Sequence, residues 1–438
     1  MKRLFFGGIH PEYHKEMSAG NAPIQSITPK QVVIPMVQHI GAPCTPLVKV
    51  GDRVLRGTKV GDGDGLCVPV HASVAGTVVA VEPRPHPNGK MVMSVVIEND
   101  FTEEAVEVVR CEDPLNTLND DALLSRIRQA GLVGMGGAAF PANVKAMSAM
   151  GHVDYLIANA CECEPYITAD DSLLRSQPEQ VLKGMQLLQK LLKPEHVVLA
   201  VEDNKQEAIL ALGKLIADYP GMELRVLPTR YPQGSEKQLI QAVTGRQVPS
   251  GKLPADVGCV VLNAASCAAV FRAVYRGVPL TQRIVTVSGE AVNRPQNFAV
   301  RIGTPFADLI EAAGGLTDAA ERVISGGPMM GIAQSDLSVP VVKATNSVLC
   351  LPHDQNAAAE NPVCVRCGKC VAVCPMGLQP LYLYRYAACG DTRELTRLHL
   401  SDCMECGSCA YTCPGKLPLV EQFRKGKALL REAKEDKK

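Results

Sequence analysis

The chain contains no tryptophan and only 4% aromatic residues, which says little about function. It also lacks a surplus of either charge. Lys+Arg and Asp+Glu both number 45, so the formal charge is zero and the basic excess that electrostatic capture of nucleic acid requires is missing. Nucleic acid is therefore not expected as a partner. No uninterrupted apolar run approaches the ~20 residues that cross a bilayer. The best candidate, Val257 to Phe271, is short and contains Asn263 and Ser266. The start, Met1 to Gly8, has a basic flank but no apolar stretch before a cleavage site, so the chain is expected to remain in the cytoplasm.

What is present is enough material for several cores: 438 residues, 46% of them hydrophobic, which suggests roughly three or four domains. Residues 1–115 are rich in Val, Gly and Pro in short alternating segments such as Cys67 to Val81, a strand-and-turn texture. Val48 to Val54 and Ala75 to Val78 resemble the barrel-sandwich fold of biotinyl and lipoyl carriers. The Met-Lys-Met-type turn that would carry a prosthetic group is missing, so this is read as a structural domain. Residues 116–275 alternate helices (Asp121 to Gly131, Pro178 to Leu192, Gln206 to Ala217) with apolar strands (Tyr155 to Ala158, His196 to Val201), which is α/β texture. Residues 276–353 hold a strand, Ile284 to Gly289, and a helix, Phe306 to Ala313, and resemble a soluble-ligand-binding β-grasp (SLBB) domain through Val287 to Glu290 and Gly314 to Leu316. A linker near Asp354 to Pro362 opens a cysteine-rich domain over 354–438. Its Gln379 to Leu400 stretch reads as helical, and Lys425 to Lys438 as a charged, solvated helix.

The cysteines are the strongest signal. Of the 17, two nearly identical arrays, Cys364-x-x-Cys367-x-x-Cys370-x-x-x-Cys374-Pro375 and Cys403-x-x-Cys406-x-x-Cys409-x-x-x-Cys413-Pro414, repeat the bacterial ferredoxin run. In a reducing compartment such arrays are metal ligands rather than disulfides. Three closely spaced thiolates reach one cubane, while the Cys before Pro ligates the other cluster in two-cluster ferredoxins. One 4Fe-4S cluster is thus expected on Cys364, Cys367, Cys370 and Cys413, and a second on Cys403, Cys406, Cys409 and Cys374. Structural zinc is the alternative, but it ordinarily uses two C-x-x-C pairs per site.

Three further segments suggest a nucleotide site. Gly131 to Pro141 is a glycine-rich turn whose backbone N–H groups can approach a phosphate or flat ring. Asn159-Ala160-Cys161-Glu162-Cys163-Glu164-Pro165 follows an apolar strand, where α/β sheets bind ligands. The third is Tyr231 to Gln238. Together these segments resemble the FMN- and NADH-binding subunit of respiratory complex I. With Phe6 to Pro11 and the double cysteine array, the chain from residue 5 to about 420 is similar to the C subunit of the Rnf electron-transport complex, without the long repeat tail of some members.

That resemblance implies FMN held first by Gly134, Gly136, Gly137, Phe140 and Lys145, then by Asn159, Glu162 and Glu164, with Tyr231, Gly234, Glu236 and Asn263 closing the site. Lys145 would neutralise phosphate, Asn159 would bond the flavin's polar edge, and Glu162 or Glu164 would orient NAD(H). It further implies electron transfer between ferredoxin and NAD, ion movement through membrane subunits, and a peripheral position on the cytoplasmic face of the membrane. Cys161, Met135 and Ser235 depart from the complex I pattern, and Cys161 and Cys163 are read as loop thiols. Two alternatives remain at this point: a soluble reductase of the cobalamin-reductase type, and a cluster relay without flavin.

Overall fold

The alternating valines before residue 100 build two facing sheets in the computed structural model, which describes residues 5–20, 25–353 and 362–435. Gln31–Pro35, Met91–Asn99, Gly76–Pro85 and Arg53–Val54 form one antiparallel sheet; Thr45–Pro46, Lys59–Asp62 and Val70–His71 form the other. Between them lie Val32, Ile34, Val60, Val70, Val78 and Ile97. Alternation puts these side chains inside because successive strand residues face opposite sides of a sheet. This is the expected barrel sandwich, but it does not begin at the start of the chain. Residues 5–20 lie elsewhere, and Gln25–Ile27 pairs in parallel with Gln296–Arg301 of the third unit. The barrel and the third unit even share a core, in which Val32 and Val95 belong to one apolar cluster with Val285, Phe298 and Phe306.

The α/β unit carries a four-stranded parallel sheet in the order Met222–Leu227, His196–Glu202, Tyr155–Ala160, Cys259–Asn263. Helix Pro178–Leu192 buries Val181, Leu182, Met185, Leu188 and Leu191 at helical spacing and packs on helix Ala264–Arg276. The two axes come so close that a Cβ on Gly184 would stand 1.8 Å from the Cys267 carbonyl oxygen. The third unit is a six-stranded sheet around Gln282–Ser288 with helix Phe306–Ala312 against it.

The cysteine-rich unit is helical, but Gln379 to Leu400 is not one helix. Helices Pro380–Cys389 and Thr392–Arg397 are separated at Gly390, whose φ of +73° ends the first in the left-handed conformation glycine adopts freely. The charged C-terminal helix is Leu419–Glu435; it is only partly solvated, since Arg424 and Lys427 both pair with Glu405. The expected linker at Asp354 to Pro362 lies, except for Pro362, outside the described residues.

Candidate functional site

In the parallel sheet, Tyr155–Ala160 and Cys259–Asn263 are neighbours although two other strands lie between them in the chain, so the strand order reverses there. A crevice opens at such a point outside the carboxyl ends of the strands. Here it holds a cleft enclosing about 1480 Å³ of open space including its mouth. All the residues that the resemblance singled out for flavin and nucleotide, from Gly134 to Asn263, line this one cleft.

The glycine-rich loop is closed by Gly134 N–H donating to the Phe140 carbonyl (2.8 Å) and pinned from below by Met135 N–H on Ser266 Oγ (2.9 Å). A Cβ on Gly136 would press on Asn263 at 3.0 Å, whereas one on Gly137 would meet no protein atom and would point into free space. Asn263 and Asn159 sit side by side in register at the strand ends. Asn263 Oδ1 caps the next helix through Ala265 N–H, and its Nδ2 donates to Asp170 at 2.5 Å. Asn159 commits both amide atoms to the loops, with Nδ2 on the Gly234 carbonyl and Oδ1 on Cys161 N–H. Lys145 forms a 2.5 Å ion pair with Glu236 across the mouth.

Glu162 turns away from the mouth: it accepts from Asp170 N–H (2.8 Å) at the start of helix Ala169–Ser176 and faces Lys205 at 4.0 Å. Glu164 accepts from Met329 N–H of the third unit, and one of its oxygens stands 3.5 Å from the Tyr231 hydroxyl oxygen. Gly327 comes so near that a Cβ there would clash with the Glu164 carboxyl at 2.2 Å. Burial raises the Glu164 carboxyl to about 7 against the lowering by the Met329 amide and the Lys15 ammonium. Burial and the Glu162 charge raise Asp170 to about 7 against the Asn263 amide. Lys15 reaches in from residues 5–20 and donates to the carbonyls of Glu162 (2.7 Å), Glu164 (2.8 Å) and Ile167 (2.6 Å); burial, then repulsion from Lys205, lowers it to about 8. Cys161 and Cys163 are buried loop thiols, Cys163 Sγ accepting from Gly234 N–H.

The two cysteine arrays fold alike. Arg366 and Glu405 take positive φ (55° and 58°), Gly368 and Gly407 follow at 75° and 76°, and the Arg366 and Glu405 amides each donate to the first Sγ of their array at 3.4 Å. The result is a pair of apolar-walled cavities, and their thiols are crossed. Cys364, Cys367, Cys370 and Cys413 line one, and Cys374, Cys403, Cys406 and Cys409 line the other. Four thiols per cavity and otherwise mainly apolar walls suit a cubane, and the backbone N–H···S contacts are of the kind that tune its potential.

Met404 lines both the second cavity and the cleft, and Ser235 donates to its sulfur. Residues 5–20 tie the same corner together. Gly8 N–H donates to the Val373 carbonyl, Ile9 exchanges backbone hydrogen bonds with Tyr231, and a Cβ on Gly7 would strike the Cys374 carbonyl oxygen at 2.6 Å. The site residues that sequence reasoning missed are Asp170, Met330, Asn346, Met404 and Lys15. Asp170 reads as an ordinary helix-start acid, and only the position of Met404 inside the second array was a usable signal.

Family models match in the same order as these units. They are the RnfC barrel sandwich hybrid domain at residues 3–102, the Nuo51 FMN-binding domain at 127–272, the SLBB domain at 284–333 and the 4Fe-4S dicluster domain at 363–416. The chain is 47% identical, over 87% of each chain, to the C subunit of the Na(+)-translocating ferredoxin:NAD(+) oxidoreductase complex of Acetobacterium woodii. It is 43% identical to the proton-translocating counterpart of Clostridium ljungdahlii, over 87% of this chain and 84% of that one. The C subunit of the ion-translocating oxidoreductase complex of Klebsiella pneumoniae is 44% identical over 97% of this chain, which spans 57% of that longer protein. Among solved structures, a chain of an NAD+-reducing NiFe-hydrogenase shares the fold at a TM-score of 0.50 and 21% identity, over 74% of this chain and 65% of that one.

Proposed function

The chain belongs to the RnfC family, the C subunits of ion-translocating oxidoreductase complexes, and on that premise we propose that it passes electrons between NAD(H) and partner subunits through FMN and two 4Fe-4S clusters. The observation that carries this reading is the shared wall: Met404 borders both the cleft and the cavity of Cys374, Cys403, Cys406 and Cys409. A bound flavin exchanges electron pairs with nicotinamide and single electrons with iron–sulfur clusters.

The chain's own residues would bind and orient. Gly137 leaves room for a flat ring, and Gly134 and Gly136 shape the loop beneath it. Lys145 would turn from Glu236 toward a phosphate. Asn159, Glu162 and Asn263 would act mainly by holding loops and helix starts in place, while Glu164, at about 7, can hold or release a proton at the cleft floor near neutrality. The cavity next to Met404 would take electrons first, and that of Cys364, Cys367, Cys370 and Cys413 would pass them outward.

Other subunits of the complex are implied by the family. We propose that membrane subunits hold the chain on the cytoplasmic face and that ferredoxin is the distant redox partner. None of the described helices is long and apolar enough to cross a membrane. Relatives named for sodium and for protons are nearly equally similar, which supports a choice of ion made in other subunits. The barrel-sandwich match and the RnfC relatives favour this reading over a soluble corrinoid reductase. Anaerobic purification followed by flavin and iron analysis and NADH titration tests it. About one FMN and eight irons per chain are expected, with bleaching by NADH. A flavin-free preparation with full iron would leave only the relay.

A further inference from the structure

We propose that His39, Cys44 and Cys67 form a binding site for one thiophilic d10 cation, of the zinc(II) or copper(I) kind, inside the barrel sandwich and apart from both cysteine arrays. Among the described residues outside those arrays, these three bring their ligand atoms within 4.8 Å of one another. Cys44 Sγ lies 3.5 Å from Cys67 Sγ and 3.8 Å from His39 Nε2; Cys67 Sγ lies 3.6 Å from the same nitrogen. A tetrahedral centre with metal–sulfur bonds of ~2.3 Å and metal–nitrogen bonds of ~2.0–2.1 Å spaces its ligands ~3.8 Å (S···S) and ~3.6 Å (S···N) apart. The triangle is thus close to the ligand face such an ion needs, without backbone movement.

The imidazole is in the right form. Nε2 accepts from Val68 N–H at 3.3 Å, so it carries the lone pair, which an ion would take in place of that hydrogen bond, and Nδ1, 3.3 Å from the Ile40 carbonyl, carries the proton. A ring whose far N–H rests on a carbonyl while the near nitrogen faces thiols has the second-shell arrangement of metal-bound histidines. The Val68 carbonyl, 3.3 Å from Cys44 Sγ and 3.9 Å from Cys67 Sγ, stands where a fourth donor could approach.

Thiols that merely fill a core need no such company, since a free cysteine packs as a small hydrophobe. A charged partner is also near. The Lys343 ammonium, buried on the Pro69 (2.8 Å) and Gly131 (2.7 Å) carbonyls, lies within electrostatic reach of both sulfurs and would offset part of the charge that two thiolates bring to the ion. The ligands are buried, while residues 40–43, between His39 and Cys44 in the chain, are exposed. Ile40 N–H donates to the Ala139 carbonyl of the glycine-rich loop, so an ion here would brace that loop from the barrel side. Binding would release the two thiol protons.

The test uses the full chain, purified anaerobically with its iron and flavin, and incubated in separate arms with one equivalent of Zn2+ or Cu+ before gel filtration. Wild type should retain about one zinc or copper per chain, and a Cys44→Ala/Cys67→Ala variant with equal iron and flavin should lose it. X-ray absorption on the wild-type metal should show two sulfurs and a nitrogen, a readout that does not depend on the variant folding. Retention of neither ion above the variant's level would overturn the proposal. So would an all-sulfur shell, which would put the ion in a cluster cavity, or a Cys44–Cys67 disulfide in the anaerobic protein found by mass spectrometry.

Discussion

The Tyr231 hydroxyl donates to the Cys406 carbonyl at 2.7 Å, joining the floor of the cleft to the backbone of one cluster cavity. Tyr231 is 1% exposed and burial raises its phenol, so it remains a neutral donor across the working pH range. Replacing it with Phe leaves a buried carbonyl unpaired, a loss of about 1–3 kcal/mol. The Tyr231→Phe protein should unfold at lower temperature, and the potential of the cluster bound by Cys374, Cys403, Cys406 and Cys409 should move while the other stays. Redox-poised electron paramagnetic resonance checks this; equal movement of both clusters would contradict a local link.

Gly137 and Gly234 separate two kinds of glycine requirement. A Cβ on Gly137 enters the open cleft, so Gly137→Val should keep iron content and thermal midpoint yet lose flavin. A Cβ on Gly234 would stand 2.1 Å from the Cys161 carbonyl oxygen, so Gly234→Ala should lose stability on the order of 2 kcal/mol as well as flavin. Flavin per chain and thermal unfolding together read the difference. Full flavin in Gly137→Val would remove this loop from the flavin site.

Cys413 stands in the second array by sequence but in the first cavity by position. Its replacement with Ala should remove the cluster of Cys364, Cys367 and Cys370, about four irons, and leave the other cluster and the flavin bound. Iron analysis with electron paramagnetic resonance tests this. Loss of the Cys403, Cys406 and Cys409 cluster instead would mean that each array holds its own cluster.

The Glu164 carboxyl rises from 4.5 to about 7 through burial, so the folded chain binds its proton more tightly than the unfolded chain. Stability on this account falls as pH rises from about 4.5 to about 7 and levels off above that. Glu164→Gln keeps an oxygen for the Met329 N–H and has no charge to bury. It should therefore stabilise the flavin-depleted chain, with an advantage larger at pH 8.5 than at pH 6 by on the order of 1 kcal/mol. Thermal unfolding at the two pH values measures the difference; an advantage that shrank with rising pH would reverse the sign argued here.

Much of the site was legible because its signals are local. Cysteine spacing, a glycine-rich turn after helix Asp120–Gln129 and polar residues at the end of strand Tyr155–Ala160 each record a short-range geometric need, and the cleft and the two cavities gather them. The barrel strands and the helix Pro178–Leu192 were equally plain, since a period of two or 3.6 residues shows within a few turns of chain. The break at Gly390 was also marked locally, by a glycine in the left-handed conformation followed by Asp391, whose side chain accepts from Glu394 N–H and caps the next helix.

Sequence alone determined which chemistry the chain can hold: thiolates for two clusters and a loop open enough for a flavin. Tertiary structure decided which groups meet. It set Gln25–Ile27 beside Gln296–Arg301 and sent Lys15 to three carbonyls of the 162–167 loop. It also put Met404 between cleft and cluster cavity, and brought Cys67 from a separate loop to His39 and Cys44. These contacts join residues distant in the chain, and their geometry follows from sheet register and shared core packing, which no local periodicity encodes.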